Sequence, residues 1–123
     1  MNWIVWRSPW FRYCLFLLCA SAVAYGIFRP TPPPLFFHQS DKVGHVLAFV
    51  SLALTARLAV LRARWFFFWP VLVALAPLLE YLQGEWQPSR VYSIEDSYAN
   101  LLGVAIALLL LLILKASVRY RNR

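Results

Sequence analysis

The chain has 123 residues, of which 62% are hydrophobic and 14% are charged. A soluble domain of this length leaves a large fraction of its surface in water and cannot bury so much apolar surface, so this composition excludes a water-soluble globular domain. The formal net charge of +7 does not indicate a nucleic-acid partner, because the Lys and Arg residues lie in short segments that flank apolar runs, where membrane proteins carry their topology signals.

Four long apolar runs follow one another along the chain. A run of about 20 residues matches the ~30 Å hydrocarbon thickness of a bilayer at ~1.5 Å per residue. Because backbone groups in lipid must be hydrogen-bonded within the segment, each run is predicted to be a helix. The predicted spans cover about residues 10–28, 41–61, 65–83 and 96–114. Their short connections predict an all-α membrane protein, a single integral membrane domain over residues 1–123 that forms an antiparallel bundle of four transmembrane helices.

The first span has two interpretations. Arg7 and Arg12 precede an apolar stretch that reaches Ala20-Ser21-Ala22, a sequence typical of a signal-peptide cleavage site. The apolar run continues through Phe28, further than the short hydrophobic region of a signal peptide requires, and this favours a membrane span. Cleavage would leave three spans, and the orientation of the rest would not change.

The connection between the first two spans is rich in proline and aromatic residues. Three consecutive prolines, Pro32 to Pro34, exclude a helix and favour an extended polyproline conformation. Leu35, Phe36 and Phe37 follow and are expected at the headgroup level of the bilayer, where aromatic residues are enriched. This segment is either a rigid strap on the membrane surface or a flap over a binding cleft.

Polar residues lie about one turn inside the ends of three spans. Asp41 and His45 are four residues apart, so they share a face of the second span, with His45 ~6 Å deeper. Glu80 lies near the end of the third span, and Asn100 lies ~6 Å below Asp96 in the fourth. His45, Glu80 and Asn100 are therefore predicted at about one depth on three different helices.

One stripe of the fourth span carries, at helical spacing, Asp96, Asn100, Gly103 and Ala107. Its two small residues would let a neighbouring helix approach closely, so the stripe is predicted to face the bundle interior and to aim both polar side chains inward. In the third span, Pro77 removes a backbone hydrogen bond one turn before Glu80 and is expected to bend the helix there.

Structural roles would explain part of this polar set. Asp41 and Asp96 lie in first turns, where carboxylates stabilise a helix by ~0.3–1 kcal/mol, and Ser93 with Asp96 resembles a capping box. The deeper residues are too far inside the spans for capping, and their structural alternative is an interhelical hydrogen-bond network. Such contacts contribute only ~0.6 kcal/mol on average, whereas an ionisable group inside a membrane costs a few kcal/mol. Glu80 is therefore the best single candidate for function.

The connection before the fourth span carries one cation, Arg90. Arg90 either pairs with Asp96 or Glu80, or it binds a carboxylate or phosphate of an external ligand, because the guanidinium fork suits both. Both alternatives place Arg90 at the same end of the bundle as the deeper polar residues.

The charges are distributed unequally between the two sides that the spans define. One side holds nine of the twelve Lys and Arg residues, and the other holds all five acidic residues with Arg29, Lys42 and Arg90. The positive-inside rule places both termini in the cytoplasm and the acidic residues outside. The tryptophans are interpreted as interface anchors, with Trp86 on the outer side and, on the inner side, Trp3, Trp6, Trp10, Trp65 and Trp69.

The polar residues, in their order and spacing, resemble the VanZ-like family of small bacterial membrane proteins. The matching pieces are Asp41-Lys42-x-x-His45-x-x-Ala48-Phe49, then Glu80-x-x-Gln83, then Pro88-x-Arg90-x-x-Ser93-x-x-Asp96-x-x-x-Asn100-x-x-Gly103. They extend over about half of the chain. The resemblance implies a multi-pass protein of the bacterial cytoplasmic membrane, in a family whose named member is associated with teicoplanin resistance, and it implies no biochemical mechanism.

The first of three candidate functions is an accessory protein of the cell envelope that lies in the lipid bilayer and binds an envelope lipid precursor or a glycopeptide. Carboxylates and an amide suit the recognition of polar groups on such a ligand. The expected ligand-binding residues are Asp41, Lys42, His45, Glu80, Gln83, Arg90, Ser93, Asp96 and Asn100. This function requires no cofactor or metal, and the oligomeric state stays open.

The second candidate is an enzyme that acts on a lipid headgroup. Glu80, His45 and Asp96 would then supply acid–base catalysis or hold a hard divalent cation such as Mg²⁺ or Mn²⁺. The sequence contains no nucleophile motif, Gly-rich phosphate loop or zinc-protease pattern, and this favours the first candidate over the second. The third candidate is a passive scaffold or a small transporter, but the apolar inner two-thirds of the spans argue against ion conduction.

Overall fold

The computed structural model describes residues 7–31 and 34–122, and the regular elements of that part are all helical. The helices are α1 (Pro9–Phe28), α2 (Ser40–Ala59), α3 (Trp65–Trp86) and α4 (Ile94–Arg121). All four are long and apolar enough to cross a membrane, which agrees with the four predicted spans. The expectations for Trp3, Trp6, Pro32, Pro33 and Arg123 lie outside the described residues.

Two helices are longer than their predicted spans. The third continues to Trp86 instead of ending near residue 83, so Gly84 and Glu85 belong to the helix and not to the connection. The fourth begins at Ile94 and continues to Arg121, well past residue 114. Hydropathy marks where a chain leaves the hydrocarbon, whereas backbone hydrogen bonds extend a helix through polar residues. Arg119 and Arg121 in the last turn also favour this extension, because cations stabilise a helix C-terminus.

The core lies between α2, α3 and α4. Its buried members are Phe49, Leu52, Ala53, Trp69, Leu72, Ala76, Val104 and Ala107. By contrast, α1 contributes a single buried residue, Ile27, to the described part. Four further side chains of α1 are partly buried against this core, namely Phe16, Cys19, Ala20 and Val23.

Close packing of α2 against α4 depends on Gly103. A Cβ atom at this position would lie 2.6 Å from the carbonyl oxygen of Val46 and 2.8 Å from Cβ of Phe49. Both distances are shorter than van der Waals contact, and the first involves backbone that cannot rotate away. Ala107, one turn further along, is fully buried. The prediction that this stripe of α4 faces the interior is confirmed.

Aromatic residues and one arginine stabilise the end of the bundle where α3 begins. The guanidinium of Arg57 lies 5.6 Å from the ring centre of Trp65 and 5.3 Å from that of Phe68. The same group donates a 2.6 Å hydrogen bond to the carbonyl oxygen of Ala63, so it also fixes the turn between α2 and α3. Trp69 is buried in the core against these rings, and its interpretation as an interface anchor is therefore wrong.

Hydrogen bonds bring four helix ends together at the opposite end, which we call the polar end. Lys42 near the start of α2 contacts Asp96 near the start of α4. In the last turns of the other two helices, Gln83 of α3 donates a 2.8 Å hydrogen bond to the carbonyl oxygen of Ile27 of α1. Gln87, just after α3, likewise donates to the carbonyl oxygen of Phe28. The polar residues singled out in the sequence lie at this end.

Candidate functional site

The site begins with an unusual cap on α4. Ser93 is the N-cap residue, and its hydroxyl oxygen accepts a 3.2 Å hydrogen bond from the backbone N–H of Asp96. This half of the predicted capping box is confirmed. In a capping box, the carboxylate three residues on would accept from the N-cap N–H. Here the Ser93 N–H instead donates to Oε1 of Glu80 from α3, at 3.3 Å.

Because Glu80 takes that role, the carboxylate of Asp96 makes contacts with α2. Nζ of Lys42 lies 2.6 Å from Oδ1 of Asp96 and 3.0 Å from Oδ2 of Asp41, with Glu95 further away at 3.8 Å. Oδ2 of Asp96 lies 3.7 Å from Nε2 of His45. Asp96 therefore bridges a lysine and a histidine that lie one turn apart on α2.

Asn100 determines which ring nitrogen of His45 carries a proton. Its amide Nδ2 donates a 3.2 Å hydrogen bond to the carbonyl oxygen of Ala76, which leaves Oδ1 to face Nδ1 of His45 at 2.9 Å. Reversing the amide would set two oxygens against each other at Ala76, so the orientation of Asn100 is fixed. The histidine must therefore donate from Nδ1. In a neutral ring, Nε2 is then an acceptor that faces Asp96.

His45, Glu80 and Asp96 each offer one ligand atom, and these atoms lie within 4.8 Å of one another. With Asn100 they form what we call the polar cluster. Glu80 and Asn100 are buried, at 2% and 1% exposure, and the side chains of His45 and Asp96 are 14% and 15% exposed. When His45 is neutral, its Nε2 and the two carboxylates are three acceptors in a small space, and a hydrogen-bond donor or a cation among them would offset their repulsion. The cluster is thus suited to bind a group that donates hydrogen bonds or carries positive charge.

The remaining predicted site residues lie around the polar cluster in different roles. Asp41 lies in the first turn of α2, but the N-cap position belongs to Gln39, whose side chain makes no capping bond. Gln83 is 2% exposed and committed to α1, so it does not join the cluster. Lys42 was expected to contact an anionic group of a ligand. Its charge is compensated by Asp41 and Asp96 in this structure, and the expected contact with a ligand stays a prediction.

Arg90 is a further cation at this end that a ligand could use. It is only partly buried, and its guanidinium makes no ion pair with any residue in the described part of the chain. Of the two alternatives for Arg90, direct pairing with Asp96 or Glu80 is therefore not observed.

A cleft of about 800 Å³ opens beside the polar cluster, between α1 and α2. At the polar end it is lined by Asp41, His45, Gln83, Arg90 and Asp96. Further along, its walls come from α1 and α2 and are apolar or small. Pro34, Leu35 and Phe36 also contribute to the lining, which agrees with the flap alternative for this segment. We call this cavity the α1–α2 cleft.

The sequence reasoning did not identify the α1 wall of this cleft. Four lining residues of α1 recur at helical spacing, namely Cys19, Ala22, Val23 and Gly26. A matching set on α2 comprises Gly44, Ala48 and Ser51. Small residues at such spacing on consecutive spans are a detectable signal, but they more often indicate tight helix packing. The sequence alone does not distinguish a packed interface from an open cleft.

A second residue that was missed is Ser97. It is 4% exposed, and its hydroxyl donates a 3.2 Å hydrogen bond to the hydroxyl oxygen of Tyr92. The backbone of Tyr92 in turn lies against Gly84, where a Cβ atom would be only 2.9 Å from the Tyr92 nitrogen. These contacts fix the connection that carries Arg90 onto the end of α3.

Comparison of the chain with protein-family models, curated proteins and solved structures finds no match. What the site does is therefore argued from its own geometry.

Proposed function

We propose that this chain is a VanZ-like, multi-pass protein of the bacterial cytoplasmic membrane that binds an envelope precursor or a glycopeptide at an outward-facing polar site. The observation that carries this proposal is the convergence of His45, Glu80 and Asp96 from three helices, where His45 and Asp96 line the mouth of the α1–α2 cleft and Glu80 is buried next to them. Burial of a carboxylate such as Glu80 inside a membrane span is costly, and function explains that cost better than helix packing does.

The proposed orientation follows from the charges and the helix ends. In an antiparallel bundle, α2 and α4 begin on the side where α1 and α3 end, and the contacts at the polar end agree with this arrangement. Nine of the twelve Lys and Arg residues then lie on the side away from the polar end. The positive-inside rule assigns that side, with both termini, to the cytoplasm. The polar cluster would then face outward.

The chemistry of the site describes the polar part of the ligand. Carboxylates accept hydrogen bonds, and so does Nε2 of a neutral His45, so the ligand must supply donors such as amide N–H, hydroxyl or ammonium groups. Arg90 at the same mouth only donates and carries a full charge, so it requires an acceptor such as a phosphate or a carboxylate. Peptidoglycan precursors and glycopeptide antibiotics both carry amide and sugar donors together with acidic groups.

A binding measurement with two matched variants tests this proposal. We expect Glu80→Gln to fold and insert normally but to bind a labelled lipid-linked peptidoglycan precursor, or labelled teicoplanin, about tenfold more weakly, because one charge-assisted hydrogen bond is lost. Glu85→Gln makes the same chemical change on the same helix at an exposed position and should bind as the wild type does. Purified protein in nanodiscs provides the readout.

Equal binding by both variants, or no saturable binding of either ligand, would contradict the proposed site. A cellular measurement separates the two ligands. If the chain contributes to glycopeptide resistance, its expression raises the teicoplanin concentration that inhibits growth, and Glu80→Gln removes this increase. If it binds the precursor for another purpose, growth inhibition by teicoplanin stays unchanged.

The spacing of His45, Glu80 and Asp96 supports an enzymatic alternative. Their ligand atoms are close enough to surround one divalent cation, which would polarise a phosphate oxygen of a lipid headgroup. Lys42, 2.6 Å from Asp96, competes with such a cation for that carboxylate. Incubation of purified protein with labelled envelope lipids, with and without Mg²⁺, distinguishes the two functions. Metal-dependent product supports the enzyme, and saturable binding without product supports the binding protein.

A further inference from the structure

The α1–α2 cleft extends well below the polar cluster. On α2 its lining runs from Ser40 to Ser51, a rise of about 16 Å at ~1.5 Å per residue. On α1 it runs from Ile27 down to Cys19, about 12 Å by the same rise. The cleft therefore descends through roughly half of the ~30 Å hydrocarbon layer, which is the depth of one lipid leaflet.

The upper part of the cleft, next to the polar cluster, is open and is not closed by packing. A Cβ atom added at Gly26 or Gly44 would meet no other atom within 4 Å, although both residues line the cleft. Leu47 in the same wall is 60% exposed. At this depth in a bilayer the surroundings are hydrocarbon and not water, so an apolar opening is filled by lipid chains.

The lower walls of the cleft suit an apolar chain, and its mouth suits a charged group on the same ligand. Arg90 lines the cleft and makes no ion pair within the described residues, so it offers its guanidinium fork to an anionic group. His45 and Asp96 line the same mouth, where the carboxylate and a neutral imidazole can accept hydrogen bonds from a ligand. A single molecule that satisfies all three features has an acidic group, adjacent N–H or O–H donors, and a hydrocarbon chain.

We propose that the α1–α2 cleft holds a hydrocarbon chain of a phosphate-bearing membrane lipid, whose phosphate contacts Arg90 and whose donor groups contact the polar cluster. This inference rests on the proposed function and narrows its ligand to a lipid-linked molecule that enters sideways from the leaflet. A volume of about 800 Å³ is within the ~300–1,000 Å³ of ligand pockets. A water-soluble glycopeptide would use the mouth and leave the lower cleft to bulk lipid.

Photocrosslinking in nanodiscs tests the proposal. The probe is a phosphatidylethanolamine with a diazirine on one acyl chain, diluted into phosphatidylcholine. For the wild type we expect crosslinks to concentrate on residues 19–26 and 44–51, relative to the lipid-facing surface of α4. Gly26→Leu and Gly44→Leu place a side chain in the cleft without a clash and should lower these crosslinks about tenfold. Ala24→Leu adds the same volume on an exposed face of α1 outside the cleft and should leave the pattern unchanged.

Several outcomes would overturn the proposal. These are wild-type crosslinks spread evenly over all lipid-facing surfaces, crosslinks insensitive to both glycine substitutions, and a cleft occupied by a second copy of the chain, detected as a protein–protein crosslink. The crosslinking pattern of the wild type tests the proposal by itself, so the test still works if a variant folds poorly. If Glu80→Gln weakens precursor binding but Gly44→Leu does not, the polar site functions without a chain-binding cleft, and only this inference fails. If neither substitution matters, the proposed function fails as well.

Discussion

Glu80 completes a hydrogen bond that α4 would otherwise make within itself. Its Oε1 accepts from the N–H of Ser93, so the carboxylate of Asp96 is available to Lys42 and His45. Because Glu80 and not Asp96 accepts from the Ser93 N–H, α3 is bonded to α4, and Asp96 bonds α4 to α2. The cost of burying Glu80 is partly offset by this hydrogen bond, and the remaining acceptors point into the polar cluster.

At the scale of single residues, the sequence predicts which side chains belong to the polar cluster better than it predicts which side chains pair with each other. The Ser93 cap and the common depth of His45 and Asn100 follow from helical spacing alone. The pairing of Lys42 with Asp96 does not, because it depends on how α2 and α4 are rotated about their axes. Residues one helical turn apart on α2 could each face several residues of α4, and only the packing of the two helices determines which pair forms.

The ion pair between Lys42 and Asp96 provides the first prediction at this scale. In a double-mutant cycle, Lys42→Met and Asp96→Asn should show a coupling energy of about 1–2 kcal/mol, because the pair is short and shielded. The matched cycle of Lys42→Met with Glu95→Gln should give less than about 0.5 kcal/mol, because Glu95 is 75% exposed and 3.8 Å away. The free energy of unfolding in detergent micelles is the measurement. Equal coupling in the two cycles would show that the Lys42–Asp96 contact has no special strength.

At the scale of whole elements, the four helices depend on each other unequally. The start of α4 is joined to α2 and α3 by side-chain hydrogen bonds, and Gly103 then allows its backbone to pack directly on α2. In contrast, the hydrogen bonds that join α1 to the rest go to the carbonyl groups of its last turn and of Pro30, which accepts from Ser89, while partly buried apolar side chains pack α1 against the core. The cleft opens beside α1, whose side chains facing the core are mostly only partly buried.

The sequence could predict the buried stripe of α4 but not the cleft. Asn100, Gly103 and Ala107 combine polar and small residues on one face, a pattern that is costly to expose to lipid. The small residues of α1 have no polar neighbour on the same helix face. Their spacing therefore does not predict whether that face points toward the core or toward lipid. The bend expected at Pro77 likewise stays a prediction.

Substitutions at two glycines test whether the α2–α4 interface is tightly packed and the α1–α2 cleft is open. Gly103→Ala should lower the free energy of unfolding by about 1–3 kcal/mol, because its Cβ would overlap the backbone of Val46. Gly26→Ala should be neutral or stabilising by up to about 1 kcal/mol, because its Cβ meets no other atom and alanine has the better helix propensity. Thermal unfolding in detergent, followed by circular dichroism, compares the two variants. A loss at Gly26 as large as that at Gly103 would mean that α1 packs tightly on its neighbours and that the cleft is closed.

At the scale of the whole molecule, the two ends of the bundle are stabilised by different chemistry. The polar end holds the acidic residues, the three cations Arg29, Lys42 and Arg90, and the mouth of the cleft. The other end holds arginine against aromatic rings, with Lys115 also 5.2 Å from the ring centre of Trp65. Arg57 and Lys115, which contact these rings, belong to the nine cations of the positive-inside count, so the count and the contacts describe the same end. The sequence supplies the count, whereas the contacts require the fold.

Labelling of single cysteines tests the proposed orientation. In a background with Cys14 and Cys19 replaced by serine, Ser89→Cys lies in the exposed connection at the polar end and Ser117→Cys lies on the exposed last part of α4. We expect a membrane-impermeant thiol reagent to label Ser89→Cys in intact cells and Ser117→Cys only after the membrane is permeabilised. Both substitutions exchange one hydroxyl for a thiol, so differences in labelling report on accessibility. The reverse pattern would turn the polar end toward the cytoplasm, where an outer-leaflet precursor or an external glycopeptide could not reach Glu80, and the proposed ligand class would have to be abandoned even if the polar cluster binds a lipid.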